Sequence, residues 1–292
     1  MNWGALKDSW NEFRESPAGL FGFFLTTALL LAALLAPWLS PQDPYDLEQL
    51  FLDDSLKPPL LLTDFRYAKF MLGSDGQGRC MLSAMLYGLR ISLYVGVAST
   101  IISALVGTLA GLLAGYRGGR VDSLIMRVAD VQLSFPAILV ALVIMSLWGQ
   151  GVFKIIIAIS AVNWVFYART ARASTLSEKE KDYVDAAISI GVSAPAIMIT
   201  EILPNIMAPI IVIGTVRIAN AILLEATLSF LGLGVPITEP SLGALVNEGY
   251  RVLFSGEWWI SALPGLVLML VVLGINQVGD RLRDILNPRL KR

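Results

Sequence analysis

The sequence predicts an all-α integral membrane protein with six transmembrane helices and both termini in the cytoplasm. Three observations predict it. Of 292 residues, 55% are apolar and only 15% charged, against roughly 25% charged in soluble domains. The apolar residues gather into six blocks, each near the roughly 20 residues that cross a ~30 Å hydrocarbon core. With the N-terminus inside, 14 of the 22 basic residues fall on inner segments and 7 on outer ones, the bias that sets orientation. Helices are the expected form because lipid offers no water to unpaired backbone groups.

The elements follow in order. A mixed-charge cytoplasmic segment, residues 1–19, precedes the first span at 20–39. That apolar core is too long, and its leader too mixed in charge, for a cleaved signal, so it reads as a retained helix. Residues 40–90 read as an extracytoplasmic loop rich in proline and aspartate, with little regular structure. Residues 91–292 then form a five-helix core.

The second span, 91–114, carries Ser99, Ser103, Gly107, Gly111 and Gly115 at every fourth position. Such a groove lets another helix approach closely. The third, 128–148, is interrupted by Pro136, and Arg127 stands three residues before Asp130, placed to neutralise it. The fourth is 152–167. The fifth, 206–233, carries Arg217, Asn220 and Glu225. Eight residues put Arg217 and Glu225 on neighbouring faces about 12 Å apart, too far to pair directly. Ionisable groups inside a membrane are costly and usually have a role. Each can face a pathway, a second subunit or another helix; Asn220 and Glu225 are the candidate pathway positions. A proline-rich outer loop, 234–257, leads to the sixth span, 258–278, where Pro264-Gly265 can kink the helix.

One inner segment, 169–205, stands apart. Its first part is too charged to span. Residues 185–190 read as a short helix stopped by Gly191. Ser193 can cap a second short helix with Pro195 in its first turn, and Pro204 ends it. A compact cytoplasmic knob of this length suggests docking rather than mere connection.

Composition excludes much chemistry. There is no histidine and one cysteine, Cys80, so neither a Ser–His triad, nor a His-based metal site, nor a disulfide framework is available. No phosphate-loop sequence occurs, so the chain does not hydrolyse ATP by itself. Gly73-Ser74-Asp75-Gly76-Gln77-Gly78 reads as turns. No catalytic and no metal-ligating residue is assigned, and nothing indicates nucleic acid. A solute mover or a membrane scaffold remains.

Asp185-Ala186-Ala187, three residues, Gly191, then Leu203-Pro204 resembles the EAA loop of ABC importer permeases, which usually has glutamate where this chain has Asp185. Further stretches resemble the dipeptide/oligopeptide branch of that family, its C-type inner-membrane subunit. They are Leu72-Gly73-Ser74-Asp75 with Gly78-Arg79, and Tyr87-Gly88 with Arg90-Ile91-Ser92-Leu93. Next come Gly115-Tyr116-Arg117-Gly118-Gly119 with Val121-Asp122, and Ser134-Phe135-Pro136. The last are Glu225-Ala226 with Leu228-Ser229-Phe230-Leu231-Gly232-Leu233-Gly234, and Gly279-Asp280 with Leu282-Arg283-Asp284 before Asn287-Pro288-Arg289. Cys80 departs from the family's usual aspartate, and Glu201 stands at a usually apolar or basic position.

The resemblance implies a type I ABC importer permease fold in the bacterial inner membrane, surrounded by lipid. It implies a second homologous permease, two ATPase subunits that hold the ATP and Mg, and an extracytoplasmic solute-binding protein. This chain itself would bind no cofactor. ATPase coupling would fall to Asp185, Ala186, Ala187, Gly191, Leu203 and Pro204. The cargo would be a peptide or a similar small solute; nickel chelates, opines and oligosaccharides are carried by related permeases. The competing readings are an ion-coupled secondary carrier and a non-transporting scaffold.

Overall fold

A computed structural model describes residues 12–59, 69–236 and 238–286. Lys7, Arg66, Lys291, Arg292 and the Asn287-Pro288-Arg289 motif lie outside the described residues. Nine principal helices occur among those described: α1 (Pro17–Leu34), α2 (Met81–Arg117), α3 (Gly119–Leu133), α4 (Ala137–Trp148), α5 (Val152–Lys179), α6 (Asp182–Ser189), α7 (Met207–Phe230), α8 (Leu242–Val252) and α9 (Trp259–Leu286). Five of them, α1, α2, α5, α7 and α9, are long and apolar enough to cross a membrane. The bent pair α3–α4 makes a sixth crossing when the two helices are counted as one broken span.

That pair corrects the expected kinked span. The two helices meet at 90°. Pro136 has no N–H to donate and disfavours a helical residue before it; its own backbone is extended, with ψ 130°. Asp130, on α3, pairs with Arg169 of α5 rather than with Arg127. Arg172 of α5 likewise holds Asp122 of α3. Gln132 donates to the carbonyls of Ala161 and Val162 and accepts from the Trp164 indole. Polar contacts thus fasten α3 sideways along α5. Pro264 does not break its helix: it is buried near the start of α9, which runs on through it.

The axis of the bundle is α2 against α5. The five-residue stripe, spaced every fourth position, faces α5, and the approach is backbone to backbone. A Cβ on Gly107 would stand 2.2 Å from the Trp164 carbonyl oxygen, and one on Gly111 2.2 Å from that of Ala168. Ser103 donates to the Ser99 carbonyl, and Ser160 of α5 donates across to the same oxygen at 3.2 Å. Around this axis α7 packs on α2, and α1 lies along α9. Ser16 caps α1 by accepting from the Gly19 amide, with Pro17 in the first turn.

The outer loops carry more structure than their composition suggests. The 242–252 stretch has no proline, and its apolar side (Leu242, Leu245 and Gly249) is buried, so α8 forms there. Ser241 caps it by accepting from the Ala244 amide at 3.1 Å. The Gly73–Gly78 turns are pinned beneath it. Asp75, fully buried, accepts from the Gln77 and Arg79 amides and from Arg79 Nε at 2.5 Å. Glu248 of α8 accepts from the Gly76 amide at 2.8 Å and lies 3.5 Å from the Arg79 guanidinium.

Burial, then the Asp75 charge, pushes the Glu248 carboxyl up to about 7, against the pull of Arg79. A raised acid stabilises the fold when protonated. Its contribution is complete below the ordinary value of 4.5 and is lost as pH rises through about 7. Between pH 5 and 8 the thermal midpoint of the purified protein should therefore fall. In Glu248→Gln that part of the fall should vanish, and an unchanged pH profile would contradict the assignment.

Candidate coupling elbow and transmembrane polar groups

The inner segment builds an elbow from local rules. In α6, Val184 is fully buried and Ala187 nearly so, in one cluster with Leu112, Tyr167, Ala171, Ile197, Ile202 and Ile206. Asp182, Asp185, Ala186 and Ser189 face outward. The two alanines therefore divide: Ala187 seats the helix and Ala186 lies on the open face. Gly191 ends α6 at φ +80°, its amide donating to the Ile188 carbonyl and the Val192 amide to that of Ala187. This is the paired closure of a Schellman turn, which favours glycine because a side chain there is strained. A Cβ on Gly191 would meet nothing within 4 Å. Ile190 beside it is 80% exposed, so the tip is apolar and open.

The second arm differs from expectation. Ser193 occupies the cap position but makes no side-chain cap bond. Pro204 does not end the arm. A wide helical turn over Ile197–Ile202 precedes it. Such a turn relieves the contact between a proline ring and the carbonyl four residues back. The chain continues through Leu203–Asn205 into α7. Leu203 is half-buried beneath the elbow, and Pro204 is exposed. The coupling candidates Asp185, Ala186, Ala187, Gly191, Leu203 and Pro204 are thus gathered at one end of the bundle, opposite α8.

A tether links the two arms. Tyr183 donates to Glu178 at 2.6 Å and accepts from Asn205 at 3.2 Å, while Lys181 also holds Glu178. Burial and the neighbouring carboxylate push the Tyr183 hydroxyl up to about 12, so it stays a donor. Sequence reading passed over Tyr183, since a tyrosine beside charged residues gives no periodic signal.

Within the spans, Asn220 and Glu225 lie apart. Asn220 is exposed on α7. Glu225 is fully buried and accepts from Ser92 of α2 and Ser229, both at 2.7 Å. Arg217 lies flat on the Phe166 ring of α5, 3.4 Å from its centroid. No cluster of metal-ligating side chains occurs among the described residues.

The family described as binding-protein-dependent transport system inner membrane component matches residues 107–292. This chain belongs to that family. Residues 4–59 match the N-terminal transmembrane domain of oligopeptide transport permease C. The di/tripeptide transport system permease protein DppC of Pseudomonas aeruginosa is 40% identical over 98% of this chain and 93% of its own length. The dipeptide transport system permease protein DppC of Escherichia coli K12 is 38% identical over 98% and 94%. Among solved structures, the MetNI methionine ABC transporter in an inward-facing conformation shares the fold. Its TM-score is 0.57 at 17% identity, covering 71% of this chain and 98% of that one. The chain is accordingly a multi-pass permease of a transport system, and the ion-coupled carrier and scaffold readings find no support.

Proposed function

We propose that this chain is one of two homologous permeases in an ATP-driven importer of short peptides, set in the bacterial inner membrane. The observation that carries the reading is the end-to-end similarity to di- and tripeptide permeases. The elbow supports it: a slim, open tip with two exposed carboxylates, Asp182 and Asp185, stands ready for a basic groove on an ATPase subunit. The segment 169–205 transmits ATP-driven closure of two such subunits, which hold the nucleotide and Mg. An extracytoplasmic binding protein delivers cargo to the outer side. Asn220 faces the pathway, and Glu225 braces α7 against α2 near its outer end.

The test is uptake of labelled alanyl-alanine by proteoliposomes. Accumulation should require this chain, a partner permease, both ATPase subunits, the binding protein and ATP together. Accumulation by this chain alone, driven by an ion gradient, would refute the reading.

A further inference from the structure

Arg217 is the eleventh residue of α7, about 15 Å from one end and 20 Å from the other. That places a guanidinium near the centre of the membrane, where a cation is expensive unless something answers it. The Phe166 ring answers part of it. No described carboxylate pairs with it, and its Nε donor has no hydrogen-bond partner.

Its surroundings repeat the pattern. The Tyr167 hydroxyl is fully buried and unpartnered. It ends 3.8 Å from where a Cβ on Gly214 would stand, and Gly214 precedes Arg217 by three residues on the same face of α7. Asn163, one turn before Tyr167 on α5, is 4% exposed, and its amide nitrogen is likewise unpartnered. Buried donors are nearly always satisfied. Of the four unpartnered donors on the facing helices α5 and α7, these three lie within about one turn of one another along the chain or across the helix pair, and the fourth, Thr175, packs against Gly115 of α2.

A groove of about 560 Å³ opens alongside on the same two helices, one turn from Phe166 and from Arg217. Thr170, Pro209, Val212, Ile213 and Val216 line it, with Arg283 towards its inner end. Thr170 is one turn from Phe166, and Ile213 and Val216 flank Arg217. Apart from Thr170 and Arg283 the walls are apolar.

We propose that Arg217, with Tyr167 and Asn163, forms a transient station for the carboxylate of a passing peptide. An anionic lipid is the wrong occupant, because its phosphate stays at the membrane surface while Arg217 lies at mid-depth. Every short peptide carries a carboxylate whatever its side chains, so this contact suits a permease of broad cargo. Only Arg217 brings a full charge; the two neutral donors add direction without a grip too tight for release. The inference rests on the peptide-import reading above.

The experiment uses the complete importer in proteoliposomes and measures peptide uptake together with ATP hydrolysed per peptide. The probes are alanyl-alanine, its C-terminal amide, and aspartyl-alanine amide, which moves the carboxylate to a side chain. Arg217→Gln should slow alanyl-alanine at least about tenfold, the scale of one lost charged hydrogen bond, and raise the ATP consumed per peptide. Arg217→Lys should recover most of the loss, and Tyr167→Phe should slow uptake a few-fold. The plain amide should be slowed little. Loss on aspartyl-alanine amide would extend the station to any carboxylate; its absence would confine the station to the C-terminus.

Equal slowing of free and amidated peptides would overturn the proposal, as would wild-type uptake by Arg217→Gln. Loss of the partner permease from the Arg217→Gln complex would give the donors to an acid on that partner and overturn it too. If the wild-type importer moves no peptide at all, the import reading fails on that control and this assignment falls with it.

Discussion

Replacing Gly191 by leucine should abolish ATP-driven uptake while leaving the protein in the membrane at near-normal abundance. Two effects separate cleanly at this position. The φ of +80° costs a non-glycine residue about 1–2 kcal/mol, which a domain with about 5–15 kcal/mol of stability absorbs. Within the chain an added Cβ meets nothing within 4 Å. The side chain therefore projects from the elbow into whatever docks there. Uptake should fall more than tenfold, with ATP hydrolysis no longer tied to transport. Gly191→Asn tolerates the backbone with a smaller side chain and should fall between. Normal uptake by Gly191→Leu would remove the elbow from the coupling path.

Gly111→Val should have the largest effect on folding. Its Cβ would lie 2.2 Å from the Ala168 carbonyl oxygen and 2.8 Å from the Ala171 Cβ. Both neighbours belong to the backbone or its first carbon, so neither can swing aside, and α2 and α5 must separate. Overpacking of this kind costs about 1–3 kcal/mol and occasionally more, and the separation also strips the adjoining Gly107 contact. The thermal midpoint in detergent should drop by about 5 °C or more, with most of the protein lost to proteolysis at growth temperature. Gly265→Val is the control: it also sits in a membrane helix, but nothing lies within 4 Å of its Cβ, and its midpoint should barely move.

The apolar spans and the α2 stripe were readable because each is a property of composition or period. So was the elbow at Gly191, because glycine is the usual residue in such a helix-ending turn. The boundaries were less readable. α5 runs to Lys179 rather than ending near residue 167, because Asp122 and Asp130 answer its charges from α3, and residues so distant in sequence give no local signal. The helix at α8 escaped notice because the prolines and acids around it belong to its flanks. Pro204 was misjudged because the wide turn that accommodates it has no composition of its own. Glu225 looked like a pathway group from its charge; in the fold it is fully buried, with Ser92 and Ser229, four residues on, donating to it.

The uninterrupted length of α5 has a mechanical consequence. Its 28 residues make a lever arm of about 42 Å, with the elbow fixed near one end by the Glu178–Tyr183–Asn205 tether. The glycine contacts hold α2 closely against it along its length. A tilt of about 5° about the elbow would displace the far tip by about 3.7 Å. Under the proposed import function, a small stroke at the elbow would then be enough to open or shut a passage at the far end.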